Sequence, residues 1–372
     1  VTVRLGFLGA GFIADYHASM LQLAGADAVI TVVFDPAPGR ADAFSARWGG
    51  TAVAGEDEVL DGCDAVYVCT WTSEHPRLVA AAAARGVAVF CEKPLATDLA
   101  SARVLAASAA GVVNQVGLVL RDSPAFLLLR DMVADPADGE VLTVVFRDDQ
   151  YLPTRGQYRS QWRGDPARAG AGTLLEHSIH DLDLLEWLFG TAVAISARTA
   201  HHHGIDGIED VASVNVAFAS GASAHLTSVW HDVLGRPSQR RMEVFRRRGW
   251  YCLEGDVFGP VRWTRSTPDE VAAADAHTEG SDATDGSDTP GWQRGVVTEP
   301  DSLEGDELVA ELVRRGIALR FADAGFVDAV AAGRPATPDL AVAVRAHVLA
   351  DAAYRSAADG GTWLDIEPPA TP

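Results

Sequence analysis

Short apolar runs alternate with amphipathic stretches through the first third of the chain. Val3–Leu8, Val29–Phe34, Ala65–Thr70 and Ala88–Cys91 read as strands, and Ile13–Ala24 and the Ala-rich Arg77–Arg85 as helices between them. Pro36 and Pro38 end the second strand. Strands and helices alternating at this spacing predict a parallel sheet with right-handed crossovers. The strands lack in–out alternation, as expected when both faces are covered. Near Glu140 the pattern changes. Val141–Arg147, Ala192–Ala200, Val211–Phe218, Ala222–Trp230 and Arg241–Leu253 follow one another as strands of a mostly antiparallel sheet, interrupted by one helix over Thr173–Leu188. Two helices, Leu308–Ala331 and Pro338–Ala357, close the chain. Ser266–Asp306 is rich in Asp, Glu, Thr, Ser and Gly and is expected to be a long acidic surface loop. The change of pattern puts a boundary near Arg121–Pro124, so residues 1–122 form an α/β domain and 123–372 an α+β domain.

The chain has 372 residues, enough for two cores. Its 51 acidic and 30 basic residues leave a formal net charge of −21, which argues against nucleic acid or an anionic membrane as partner. The one basic cluster, Arg240, Arg241 and Arg246–Arg248, reads as a solvated strand or turn. Cys63, Cys69, Cys91 and Cys252 form no CxxC pair, so neither a metal site nor a disulfide framework is expected. Val1–Gly6 passes directly into a strand without a signal-peptide pattern, and no apolar run has the length of a membrane span. The expected compartment is the cytoplasm.

Between the first strand and first helix lies Gly9-Ala10-Gly11-Phe12-Ile13-Ala14, a G-x-G-x-x-A turn. Gly9 permits the tight turn, Gly11 lets backbone approach a pyrophosphate, and Ala14 lets the helix lie close to the strand. Phe12 and Ile13 start a helix whose free N–H groups and dipole suit phosphate. Asp35 ends the second strand, 21 residues after Ala14, where an acid accepts from adenosine ribose hydroxyls and repels a 2′-phosphate. The nearest base is Arg40, so NAD is favoured over NADP. The bland alternative is an Asp that caps a turn.

Two further patches carry candidate chemistry. Cys91-Glu92-Lys93-Pro94 sits at the C-terminal end of the fourth strand, the edge where open α/β sheets bind ligands. Gly170-Ala171-Gly172 leads into Thr173–Asp183, where Glu176, His180 and Asp183 share a helical face while His177 and Asp181 point elsewhere. On spacing alone the Glu176–His180 pair fits catalysis, an incomplete metal pair or a buried hydrogen bond. Tyr151, Tyr158, Arg159, Gln161, Trp162, Arg163 and His231 are further polar or aromatic candidates in the second domain; Trp162 and Arg163 precede the glycine-rich entry and are the best placed.

GAGFIA, TWTSEHPRLVAAAAARG, CEKPLA, AGAGTLLEHSIHDLDLLEWLFG and FVDAVAAGRPATPD occur in this order. With them the chain resembles, over nearly its whole length, the glucose–fructose oxidoreductase/inositol dehydrogenase family (Gfo/Idh/MocA). The resemblance implies a Rossmann domain followed by a domain with an open-faced sheet, association through that sheet as a homodimer or homotetramer, and action on sugars or cyclitols with NAD or NADP. By the same resemblance Lys93 matches the family's catalytic lysine and His180 its catalytic histidine, while Glu176 falls where many members carry Asp. Candidate cofactor contacts are Gly9, Gly11, Phe12, Ile13, Asp35, Thr70, His75, Glu92 and Lys93. Candidate substrate contacts are Arg121, Trp162, Arg163, Glu176 and His180. The expected function is NAD-dependent hydride transfer between nicotinamide and a secondary alcohol or ketone of a sugar, glycoside or cyclitol. His180 would exchange the hydroxyl proton, suited by imidazole's near-neutral pKa, and Lys93 would stabilise alkoxide charge. A non-catalytic NAD-binding sensor, or an enzyme that uses retained NAD transiently in hydrolysis or elimination, remains an alternative.

Overall fold

The computed structural model describes residues 1–156, 158–279, 300–319 and 321–369. The first sheet joins β1 (Val3–Leu8), β2 (Ala28–Phe34), β3 (Thr51–Ala52), β4 (Ala65–Val68), β5 (Ala88–Cys91) and β6 (Asn114–Val116). All pairs are parallel, in the order β3-β2-β1-β4-β5-β6. Helices α1 (Phe12–Leu23), α2 (Arg40–Trp48), α3 (Glu56–Asp61), α4 (His75–Ala84) and α5 (Leu99–Ser108) connect them. Every residue of β4 and β5 is buried, which explains their unbroken apolar sequence. After β1 the chain goes to β2 on one side and later to β4 on the other. That reversal opens a crevice at the C-terminal ends of β1 and β4.

Helix α6 (Pro124–Ala134) leads into the second sheet. Its strands are β7 (Val141–Tyr151), β8 (Ala192–Ala200), β9 (Val211–Phe218), β10 (Ser223–His231), β11 (Gln239–Arg246), β12 (Gly249–Glu254), β13 (Val261–Arg265), β14 (Asp301–Leu303) and β15 (Leu364–Asp365). They run in the order β14-β13-β12-β11-β7-β10-β9-β8-β15, and β7 with β10 is the parallel pair. The remaining helices are α7 (Pro166–Ala169), α8 (Thr173–Glu176), α9 (Ile179–Phe189), α10 (Pro268–Glu279), α11 (Gly305–Arg314), α12 (Ala322–Ala332) and α13 (Leu340–Ala358). Phe126 and Leu129 of α6, Leu182 and Leu185 of α9, and Leu349 and Ala353 of α13 pack with Val144, Phe146, Val214, Leu226 and Val244 on one face of this sheet. On its other face Val145, Ser213, His225, Thr227 and Phe245 are exposed, which gives the strands their strict alternation. Among the described residues no helix is long and apolar enough to cross a membrane.

Four expectations change. Arg241–Leu253 is not one strand but the β11–β12 hairpin, turned through Arg247–Arg248 without the Asn-Gly or Asp-Gly signal that marks tight hairpins. The helix Thr173–Leu188 breaks between Glu176 and Ile179. The helix Leu308–Ala331 is two, because Gly316, at φ +72°, ends α11 with hydrogen bonds from Gly316 N to Val313 O and from Ile317 N to Leu312 O. The expected loop Ser266–Asp306 contains α10 and β14; its residues 280–299 lie outside the described residues.

The end of the chain also returns to the first sheet. Phe326, Val327 and Ala329 of α12 pack with Phe7, Tyr67 and Phe90. Leu340 and Ala343 of α13 join the core built on β4 and β5. Backbone Leu340 N donates to Asn114 Oδ1 at 2.9 Å, and Gln115 Nε2 to Ala322 O at 2.9 Å. Residues 322–343 therefore pack with the nucleotide domain, although they follow the boundary in sequence.

One buried charge cluster sits in this seam. His17 of α1 is fully buried, with Nδ1 2.8 Å from Asp323 Oδ1 and Nε2 2.9 Å from Glu92 Oε1. Burial alone would depress its pKa, but Asp323 and Glu92 outweigh it and raise the value to about 10. A raised histidine contributes stability that is complete below its ordinary 6.5 and is lost as pH rises through about 10. Thermal unfolding of the wild type should therefore weaken steadily from pH 7 to pH 10.5, more steeply than in His17→Gln. That variant should also lose about 3–5 kcal/mol at pH 7, because two buried carboxyl groups lose their shared partner. Equal slopes for the two proteins would mean that His17 is neutral in the fold.

Candidate active site

The site is built where β1, β4 and β5 end. Gly9 adopts φ +92°, and a Cβ there would lie 2.4 Å from the Cys69 carbonyl, so the turn requires glycine. A Cβ on Gly11 would meet nothing within 4 Å, which leaves open space in front of α1. No side chain caps that helix, so the leading N–H groups at Phe12 and Ile13 are left for a ligand, and Phe12 is exposed beside them. Asp35 Oδ2 accepts from Ala10 N and Oδ1 from Ala37 N, both at 2.8 Å. The turn-capping and ribose-binding readings thus coexist, because each oxygen keeps a second lone pair. Arg40 Nη1 approaches Asp35 Oδ2 to 4.0 Å, so a base does stand beside the acid. The adjoining hollow of about 430 Å³, lined by Phe34, Ala54, Gly55, Glu56, Asp57 and Glu58, is acidic and disfavours a 2′-phosphate. An uncapped helix, an open glycine and this hollow together fit NAD.

Glu92, Thr70 and His75 hold the crevice floor. A Cβ on Gly117 would lie 2.1 Å from Glu92 Oε1, so glycine there makes room for the carboxylate that His17 grips. His75 is buried, with Nδ1 2.9 Å from Pro94 O and Nε2 3.3 Å from Thr70 O. Burial lowers its pKa. The ring braces the ends of β4 and β5 from beneath, which places it behind the crevice wall rather than on it.

Lys93 crosses to the second domain and donates from Nζ to the Glu176 backbone carbonyl at 2.8 Å. Burial lowers its pKa, opposed by Glu92 and Glu176. The Glu176 carboxylate is held from both sides: Oε1 accepts from Thr72 Oγ1 at 2.7 Å and Oε2 from Arg163 Nε at 3.2 Å. Glu176 therefore ties three segments together and makes no hydrogen bond to His180. The shared helical face expected for that pair does not exist, because the helix breaks between them.

His180 opens α9, is buried, and its Nδ1 has no hydrogen-bond partner. Burial, Lys93, Arg240 and His177 push its pKa well below the ordinary value, so it is a neutral imidazole and not the near-neutral titrant expected. His177, expected to point elsewhere, faces the same region. Its Nε2 lies 3.1 Å from Asp148 Oδ1. Behind them Arg240 donates to Asp181 at 2.6 Å, Asp256 at 3.0 Å and Asp148 at 3.1 Å. Arg240 is thus a buried hub and not part of a solvated basic turn. Burial raises Asp181 to about 7.

Of the other candidates, Arg121 forms a two-pronged pair with Asp183 at 2.6 and 2.7 Å, which locks the domain junction to α9. Arg163 stacks over Trp162 at 4.8 Å and stays partly open to the crevice. Asp149 holds His231 and Arg236. Several supporting residues carried no sequence signal. Glu209 accepts from Gly172 N at 2.7 Å and Leu174 N at 2.9 Å, capping α8. A Cβ on Gly172 would lie 1.9 Å from the Glu209 carbonyl, and one on Gly170 2.6 Å from that of Thr97, so the glycines let this entry segment pack against backbone on both sides. His347 accepts from Leu95 N at 3.0 Å and fixes the loop after Lys93. Arg168 stacks on Trp71 at 3.9 Å, a further cross-domain contact. Among the described residues no group of His, Cys, Asp and Glu is arranged to hold a metal ion.

Residues 3–118 match the model of the oxidoreductase family with an NAD-binding Rossmann fold, and residues 126–252 match the GFO/IDH/MocA C-terminal domain. An inositol 2-dehydrogenase of Rhizobium meliloti (strain 1021) is 30% identical over 290 residues, covering 75% of this chain and 81% of its own. A 1,5-anhydro-D-fructose reductase of Ensifer adhaerens is 33% identical over 235 residues, covering 62% and 68%. A levoglucosan dehydrogenase solved with NADH shares the fold over 98% of this chain and 99% of its own, with TM-score 0.78 and 18% identity. The matched domains, the glycine turn with Asp35, and Lys93 facing Glu176 lead to one conclusion: the chain belongs to the Gfo/Idh/MocA family of NAD-dependent oxidoreductases.

Proposed function

We propose that this enzyme oxidises a secondary alcohol of a sugar, glycoside or cyclitol and reduces the corresponding ketone in the reverse direction. The observation that carries this reading is the meeting of Lys93, from the nucleotide domain, with Glu176 and His180 of the other domain. NAD, when bound, supplies the hydride acceptor. Lys93 has spent one N–H on Glu176, and its remaining N–H bonds are free to hold the substrate oxygen and stabilise negative charge on it. His180, held neutral, accepts the hydroxyl proton through Nε2 during oxidation, because its Nδ1 is sealed away from the crevice. In reduction His180 returns that proton to the ketone oxygen, while cationic Lys93 stabilises the charge that develops there as hydride arrives. Glu176 holds the frame, because both of its carboxylate oxygens are engaged. Arg163 and Trp162 line the approach to this point.

The relatives supply a panel: myo-inositol, scyllo-inositol and levoglucosan with NAD, and 1,5-anhydro-D-fructose with NADH. Turnover of at least one, followed by NADH absorbance, is expected. Tight NAD binding without turnover of any would favour a sensor. On the active substrate, Lys93→Met should lower kcat about 100-fold, roughly 3 kcal/mol, with NAD affinity changed far less. His180→Ala should lower kcat by about 100-fold and flatten the acid limb of the pH–rate profile, which in the wild type lies below 6.5. The double variant should lose less than the product of the two, because both groups act on one oxygen. Near-wild-type turnover of either single variant would refute this chemistry. Titration with both nucleotides should show that the wild type prefers NAD and that Asp35→Ser narrows the preference; equal affinities in the wild type would contradict the role given to Asp35.

A further inference from the structure

We infer that His177, backed by Asp148, is a second imidazole that touches the substrate, accepting a hydrogen bond from the hydroxyl on the carbon next to the one oxidised, so that the site selects vicinal diols. The inference rests on the hydride-transfer reading above and adds a substrate class to it.

The break between α8 and α9 is what presents this side chain. His177 adopts φ −116° and ψ −61°, between the two helices. From Gly172 to Leu185 every other residue is buried; the His177 side chain alone keeps 16% exposure. Its environment fixes the proton on the ring. Asp148 Oδ1 faces His177 Nε2 at 3.1 Å, while Asp148 Oδ2 accepts from Ser178 Oγ at 2.8 Å and Arg240 Nη2 at 3.1 Å. A carboxylate already gathering donors takes one more from Nε2–H, which leaves Nδ1 as a bare acceptor. Nδ1 has no protein partner, yet it is not sealed in as His180 Nδ1 is.

The ring is also held neutral. Burial, Arg240 and Lys93 push its pKa well below the ordinary value, against the opposing pull of Asp181 and Asp256. A neutral acceptor beside a cationic lysine cannot replace that lysine as holder of a developing alkoxide. It suits instead a hydroxyl that keeps its proton. His177 follows directly on the carbonyl that Lys93 Nζ grips at 2.8 Å, and His180 lies three residues on, so the hydroxyl it meets belongs to a carbon near the reacting one. Lys93 and Arg163 supply donors to such a ligand and His177 supplies the acceptor, so both hydrogen-bonding roles of adjacent hydroxyls find a partner.

The test compares kcat and KM for the panel polyol with the highest kcat/KM and for its analogue lacking the hydroxyl next to the oxidised carbon. The proteins are the wild type, His177→Leu, His177→Asn and Lys93→Met. His177→Leu should raise KM for the polyol at least 10-fold and change kcat much less, as expected when a binding contact of ground and transition states is lost. The wild type should discriminate against the deoxy analogue by a similar factor, and His177→Leu should cost that analogue less than about 3-fold, because an unmade bond cannot be lost. His177→Asn, whose amide oxygen can stand near the Nδ1 position, should recover part of the polyol affinity. Equal losses on both substrates, or no loss on either, while Lys93→Met lowers kcat by about 100-fold, would overturn the inference and leave the hydride-transfer reading standing. Full turnover by Lys93→Met would remove that reading, and the inference with it.

Discussion

Lys93 reaches from the end of β5 to the backbone carbonyl of Glu176, and the placement of every other reactive group follows from that 2.8 Å bond. A lysine at the edge of a parallel sheet is ordinarily free to sample solvent. Here it is drawn into a seam, and its partner is a backbone oxygen whose position is set by the glycine-rich entry and by Glu209 capping α8. The Glu176 side chain then binds Thr72 from the first domain and Arg163 from the second. The two domains are thus joined at the point where chemistry is proposed, by hydrogen bonds that lose strength steeply if the angle between domains changes. Arg121–Asp183 and Trp71–Arg168 fix that angle further along the crevice.

Beneath this junction lie two buried charged clusters. His17, Glu92 and Asp323 sit under the nucleotide side, and Arg240 with Asp148, Asp181 and Asp256 under the substrate side. Such clusters seldom repay their desolvation in stability, but removal of a single member leaves a costly orphan. Their effect here is directional. The first puts a carboxylate next to Lys93, and the second puts a cation behind His177 and His180, keeping both rings neutral. A largely buried site with cationic donors in Lys93 and Arg163 and two neutral imidazole acceptors is suited to moving a proton from an alcohol while hydride leaves carbon.

Much of this was legible in the sequence, and the limits have physical causes. The Rossmann half was readable because its strands are buried on both faces and its phosphate turn needs glycine at Gly9. The succession of strand-like runs from Val141 onward marked the second sheet, whose alternation along β10 arises because one face is packed and the other is not. Lys93, His180 and Glu176 were found through motifs. Their relation was misjudged because nothing local in Glu176-His177-Ser178 signals that the helix stops; contacts distant in sequence, to Asp148 and Ser228, hold the break. Arg240 looked like one basic residue among several, and its burial depends on three carboxylates that come from β7, α9 and the loop after β12. His17, Glu209 and His347 act over separations of 306, 37 and 252 residues, beyond the reach of any periodicity.

The central claim is that this crevice carries out net hydride transfer between a substrate carbon and nicotinamide. The most direct measurement uses the active polyol deuterated at the carbon to be oxidised, with mass analysis of the released nucleotide and of the organic product. Deuterium should appear in NADH in step with ketone, one atom for each turnover. Deuterium retained in a hydrolysed or eliminated product, or washed out to solvent while the NAD stays oxidised, would contradict it.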